Sequence, residues 1–137
     1  MHRVTALLLF LTTFLLAACN LGTAAITPSS TPELPSVEFL FPANNARVEE
    51  GTDLTLDILA SDKLEGIARV ELYADGQLVN EARPTEALSV TDFRVEMNWI
   101  AQGAGTLHTL AAIAYRLDGT PSDQAAIVVE VVPSESQ

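Results

Sequence analysis

Few side chains in this sequence have the type and spacing to do chemistry. Cys19 is the only cysteine, and His2 and His108 are the only histidines. Cys19 closes an oily run, "LAACN" at residues 16–20, where a thiol is placed to act as a nucleophile. Zinc needs several histidine or cysteine ligands, and beyond residue 19 the chain offers one histidine and no thiol. A hydrolytic triad would need His108 exposed beside a serine and a carboxylate. Its parity with Leu110 and Ala112 instead puts it at the rim of a core, where a strand begins. Hard oxygen ligands are more plentiful. Asp62 and Glu65 in one loop, with Asp118 and Asp123 in another, could gather around Ca²⁺. No Asp-x-Asp-x-Asp-Gly loop supports such a site, and the competing expectation is ordinary solvated carboxylates. Gly103-Ala104-Gly105 lacks the strand–glycine–helix setting of a phosphate loop. The expectation is no metal, no cofactor and no catalytic group.

The thiol calls for an explanation of its own. His2 and Arg3 make a basic start, and Val4 to Ala18 carries no charge. That run is shorter than the ~20 apolar residues of a membrane span. It has the layout of a secretory signal, with small residues before a cut. "Leu16-Ala17-Ala18-Cys19" resembles the lipobox of bacterial lipoproteins. The resemblance implies a diacylglyceryl group on the Cys19 sulfur, removal of residues 1–18 as signal peptide, and acylation of the new amino terminus. Two acyl chains suffice for stable anchoring, where one gives only marginal binding. A plain secretory signal with an incidental cysteine and an uncleaved amino-terminal anchor are the alternatives. The expected location is the extracytoplasmic side of a cell membrane, at the cell surface or in the periplasm. Asn20 does not separate inner from outer membrane.

Charge agrees with a lipid rather than a basic patch as the membrane contact. The formal charge is −11, and removal of Arg3 with the signal makes it −12. Such a surface repels nucleic acid and anionic headgroups. With no second cysteine the fold must rest on its core, and about 100 residues suffice for one domain.

The elements that would position these groups follow from composition and period. Residues 19–35, Cys19 followed by "NLGTAAITPSSTPELP", are rich in Thr, Ser and Pro and read as a disordered tether. Its sixteen residues from Asn20 to Pro35 reach at most ~55 Å. From Ser36 the apolar residues alternate. Seven strands are expected over 37–41, 53–60, 67–74, 77–82, 92–100, 106–116 and 124–132, with a disordered tail at 134–137. Phe39, Phe41, Phe93 and Trp99 read as core. Asp75-Gly76 is a strong hairpin signal, because both central positions of a type I′ turn need positive φ. These features predict an all-β, antiparallel two-sheet sandwich over residues 36–133.

Three stretches carry a resemblance. "FPANNARVEEGTDLTLDILASD" (41–62), "GIARVELYADGQLV" (66–79) and "GTLHTLAAIAYRLDG" (105–119) resemble the bacterial immunoglobulin-like domains of cell-surface proteins. Asn45-Ala46 stands where that family usually has Asn-Gly, and Tyr115, Arg116 and Leu117 delay the expected Asp until Asp118. The resemblance implies an immunoglobulin-like sandwich used as a spacer, stalk, adhesive or binding module, with no catalytic residues to carry over.

Chain direction then places the tether at the end bearing the loops around Asp62 and Asp118. Glu49, Glu50, Asp75 and Gly103 to Thr106 fall at the far end. Parity puts Tyr73, Ala111, Ile113, Tyr115, Val128 and Val132 on the outer face of one sheet. Tyr73, Ile113, Tyr115 and Val128 are the candidate binding face, toward an envelope protein or a polysaccharide. The functional expectation is a non-catalytic, lipid-anchored binding, adhesive or structural module. The alternatives are an accessory subunit docking through that face and, remotely, an enzyme.

Overall fold

The computed structural model describes residues 32–135. The expected signal peptide, Cys19 and the tether as far as Thr31 lie outside the described residues, as do Ser136 and Gln137. Eight strands follow in order: β1 (Ser36–Phe41), β2 (Ala46–Glu49), β3 (Asp53–Ser61), β4 (Arg69–Ala74), β5 (Gln77–Ala82), β6 (Asp92–Ile100), β7 (Thr106–Tyr115) and β8 (Ala125–Val132). They form a three-stranded sheet, β1-β3-β6, and a five-stranded sheet, β2-β8-β7-β4-β5. The two sheets pack as a sandwich.

Period-two alternation drives the packing. Leu54, Leu56, Ile58 and Ala60 of β3 are buried, while Thr55, Asp57 and Leu59 between them are half-buried. From the facing sheet Val70, Leu72, Leu110, Ala112, Val129 and Val131 are fully buried against them. A nine-residue antiparallel ladder from Asp53↔Ile100 to Ser61↔Asp92 locks β3 to β6. The β4–β5 hairpin closes at Asp75 and Gly76, with φ of 50° and 81°. Both values are the left-handed ones a type I′ turn demands.

Three expectations need correction. Among the described residues the sandwich has eight strands rather than about seven, and it is not wholly antiparallel. β2, in the stretch between the first two expected strands, pairs parallel to β8, from Ala46↔Val129 to Glu49↔Val132. It is four residues long and buries one side chain, Val48, so its sequence pattern is too short to stand out. Phe41 is not core. The β1–β3 register shifts between Phe39 and Phe41, and that bulge breaks the alternation. Phe41 ends 55% exposed, while Phe39 stays packed on the core.

The two ends of the sandwich are tied differently. At one end β1 starts beside β3, at Ser36↔Ser61. The last residues of the expected tether are ordered here. Pro35 is buried, and the Glu33 carbonyl accepts a 2.7 Å hydrogen bond from Arg116. At the other end Oε1 of Glu50 accepts from the backbone N–H groups of Gly103 and Ala104, at 3.0 and 3.2 Å.

Candidate functional site

The outer face of the five-stranded sheet is set by register. Arg69 lies opposite Tyr115, Glu71 opposite Ile113 and Tyr73 opposite Ala111, all on the side away from the core. Arg69, Glu71 and Tyr73 share that side because they alternate with the buried Val70, Leu72 and Ala74. Val128 pairs with Thr109, one strand further over, so it lies on the same face but apart from the two tyrosines.

These side chains form a connected array. The Arg69 guanidinium stacks 3.8 Å from the centre of the Tyr115 ring. Its Nε donates to Oε1 of Glu71 at 2.8 Å. The Tyr73 hydroxyl donates to Oε2 of the same carboxylate. Glu71 is only 8% exposed, though it sits on the outer face, because its neighbours close over it. Burial pushes its pKa up, and hydrogen bonds from Tyr73, Arg69 and Tyr115 outweigh that and leave it lowered. The bond to Glu71, with burial behind it, drives the Tyr73 phenol far above its ordinary value. Tyr73 is therefore a fixed neutral donor, and Glu71 a fixed anion.

This geometry changes what the face can do. One side of the Tyr115 ring is covered by Arg69, and the Tyr73 hydroxyl is already engaged. The tyrosines are not open stacking platforms. They are parts of a rigid, mixed apolar and charged surface, with half-buried Ile113 among them and half-buried Val128 farther along the same face. A surface whose side chains are already ordered loses little entropy on docking.

The four carboxylates considered for Ca²⁺ are placed otherwise. Both oxygens of Asp62 face Arg116, at 2.6 and 3.0 Å, and they also accept from the N–H groups of Leu64 and Glu65. Asp118 accepts from the Thr120 N–H at 2.8 Å, which lowers its pKa. Among the described residues no three His, Cys, Asp or Glu side chains gather as a metal site. Asp62 is instead half of a buried ion pair.

His108 sits in an arrangement that parity alone did not reveal. Its Nδ1 lies 2.6 Å from Oδ2 of Asp75, and its Nε2 lies 2.8 Å from the Thr106 hydroxyl. The imidazole leans on Trp99, with ring centres 5.3 Å apart and planes tilted by 55°. Asp75 also accepts from the Thr109 N–H, and His108 followed by that bond lowers its pKa. The series Asp75, His108, Thr106 has the order of a hydrolytic triad. The Thr106 hydroxyl also donates to the Gly103 carbonyl, so its single proton is not held for transfer to His108. The array joins the β4–β5 turn to the β6–β7 turn.

Sequence reasoning singled out Tyr73 and Tyr115 on this face but not Arg69 or Glu71. The signal was present in the spacing of 69, 71 and 73. Nothing local connects Asp75 to His108, thirty-three residues apart.

Comparison with known proteins gives a consistent picture. The family model described as a bacterial Ig domain matches residues 35–112. No curated protein matches the chain. Among solved structures, the fibronectin(III)-like modules of Clostridium thermocellum CbhA share 23% identity at a TM-score of 0.62. They cover 76% of this chain and 50% of their own. The endo-beta-1,4-mannanase of Thermotoga petrophila shares 10% at 0.53, over 78% of this chain and 22% of its own. The SrpA adhesin of Streptococcus sanguinis shares 15% at 0.51, over 76% and 58% respectively. The chain thus spans less than two thirds of each of these structures, and the likeness is one of fold.

Proposed function

The chain belongs to the bacterial Ig domain family, and from that premise we propose that it is a lipid-anchored envelope protein whose domain docks another envelope protein. The domain itself is a binding or structural module of non-catalytic kind. The observation that carries the docking reading is the Arg69–Glu71–Tyr73–Tyr115 array. A buried carboxylate held on the outside of a sheet by three neighbours is costly to maintain and gives nothing to the core. It does fix two aromatic rings and a guanidinium in place, the residue types enriched where proteins meet. Engagement of both tyrosines favours a protein partner over a polysaccharide on this face.

The anchor rests on the Leu16-Ala17-Ala18-Cys19 run. It would hold the domain on the extracytoplasmic side by a diacylglyceryl group on Cys19, with residues 19–31 as a tether. The experiment is capture of envelope proteins by the domain, compared with Tyr73→Ala/Tyr115→Ala. Loss of a specific protein from the double variant, with melting behaviour retained, supports docking. Equal capture by both, or none by either, leaves a spacer whose work is done by lipid and tether.

A further inference from the structure

A second surface stands apart from the outer face. Between the free edges of β5 and β6, at the end away from β1's start, the sandwich opens into a recess of about 310 Å³. Its lining includes Trp99, His108, Asp75, Gln77, Gln102 and Val79. We propose that this recess binds a neutral sugar ring.

Three observations lead there. The first is the mixture of groups. Trp99 and His108 offer ring surface, Val79 and the 47% exposed Ile100 offer apolar walls, and two glutamine amides and a carboxylate stand at the rim. A pyranose has an apolar C–H face and a belt of hydroxyls, and so needs both kinds of contact at once. The second is preorganisation. His108 is held on one side by Asp75 and on the other by Thr106, and Trp99 packs against it, so the ring surface is fixed before any ligand arrives. The third is charge. Among the described residues Arg47, Arg69, Arg83, Arg94 and Arg116 each face a carboxylate, and neither they nor Lys63 line the recess, so no described arginine or lysine stands there to receive an anion. On a chain of net charge −11 an acidic glycan would be repelled. The edges themselves carry Glu81, Asp92, Arg94 and Glu96, the kind of charge that discourages addition of a further strand.

Trp99 is the only tryptophan, so its fluorescence reports the recess directly. All eight described strands and the core they enclose lie within Pro32–Gln137, a compact unit, so a chain starting at Pro32 carries the described fold. That chain is titrated with cellotetraose, mannotetraose, maltotetraose and chitotetraose, with sialyllactose as the anionic counterpart. The expected result is a saturable change in Trp99 emission with at least one neutral tetrasaccharide. Gln77→Ala and Gln102→Ala, both at exposed positions, each weaken it by about fivefold with unchanged melting temperature. Tyr73→Ala/Tyr115→Ala leaves it unchanged, which separates this site from the docking face. Absence of saturation with all four neutral sugars overturns the proposal. So does tighter binding of sialyllactose, or an affinity indifferent to both glutamine substitutions.

Discussion

Arg116 and Asp62 form a buried ion pair across 54 residues of sequence, with contacts of 2.6 and 3.0 Å. The pair does more than neutralise two charges. Asp62 organises the β3–β4 loop by accepting from Leu64 and Glu65, and Arg116 reaches on to the Glu33 carbonyl. One guanidinium thus joins the segment before β1, the β3–β4 loop and the end of β7. If the proposed lipid anchor pulls on residue 32, the load meets this junction first.

Asp62→Asn leaves Arg116 buried beside a neutral amide and should lower the melting temperature by roughly 10 °C. The acid profile gives an independent check. The Arg116 guanidinium, helped by the Leu64 and Glu65 N–H groups, draws the Asp62 carboxyl from 3.8 down to about 2. A carboxyl depressed in the fold stabilises fully above its unfolded value, and loses that contribution as pH falls through the folded one. Wild-type melting temperature should therefore decline between about pH 4 and pH 2. The decline should be shallower in Asp62→Asn, and not absent, because Asp57, Asp75, Asp118 and Glu71 are also lowered. Parallel melting curves from pH 2 to 7 decide it; identical slopes would show that the pair does not govern acid stability.

The sandwich was legible because alternation in β3, β4 and β6 is strict and each run is bounded by turn residues. Asp75-Gly76 announced its own turn, since few dipeptides tolerate two positive φ values in a row. What stayed hidden was non-local. β2 forms because β8 offers an edge to Ala46–Glu49, not because four residues prefer a strand. Phe41 has core chemistry, but a bulge fixed by the β3 register turns it out. The same holds for the sites. Parity found the outer face and its tyrosines, whereas the meeting of Asp62 with Arg116, and of Asp75 with His108 and Thr106, depends on which loops share an end and how side chains reach across it.

Leu56 tests the core directly. It is fully buried at the middle of the inner face of β3, opposite Met97 and beneath the five-stranded sheet. Leu56→Ala removes apolar contact and leaves a cavity that paired strands cannot close. The expected loss is about 2–5 kcal/mol by chemical denaturation. A loss below about 1 kcal/mol would mean that the two sheets slide together to fill the space.

Gly76 separates backbone strain from packing. Its φ is +81°, and a Cβ there would meet nothing within 4 Å. Any cost of Gly76→Ala is therefore conformational, at about 1 kcal/mol. Gly76→Asn should cost less, because asparagine enters the left-handed region more readily. Denaturant midpoints of the three proteins should fall in the order Gly, Asn, Ala.

The proposed anchor makes the last prediction, and its logic is chemical. Only a thiol can accept a thioether-linked diacylglyceryl group, and Cys19 is the only thiol in the chain. Cys19→Ala should abolish incorporation of labelled fatty acid. Serine at the same position keeps size and polarity but not the sulfur nucleophile, so Cys19→Ser should behave as Cys19→Ala does. The chain is strongly acidic and its described arginines are all paired, which disfavours electrostatic attraction to anionic headgroups. Both variants should therefore either leave the membrane fraction or keep residues 1–18 and migrate as a larger species. Retention of the lipid label at normal size would overturn the anchor, and retention in the membrane without label would place the attachment in the uncleaved amino-terminal run.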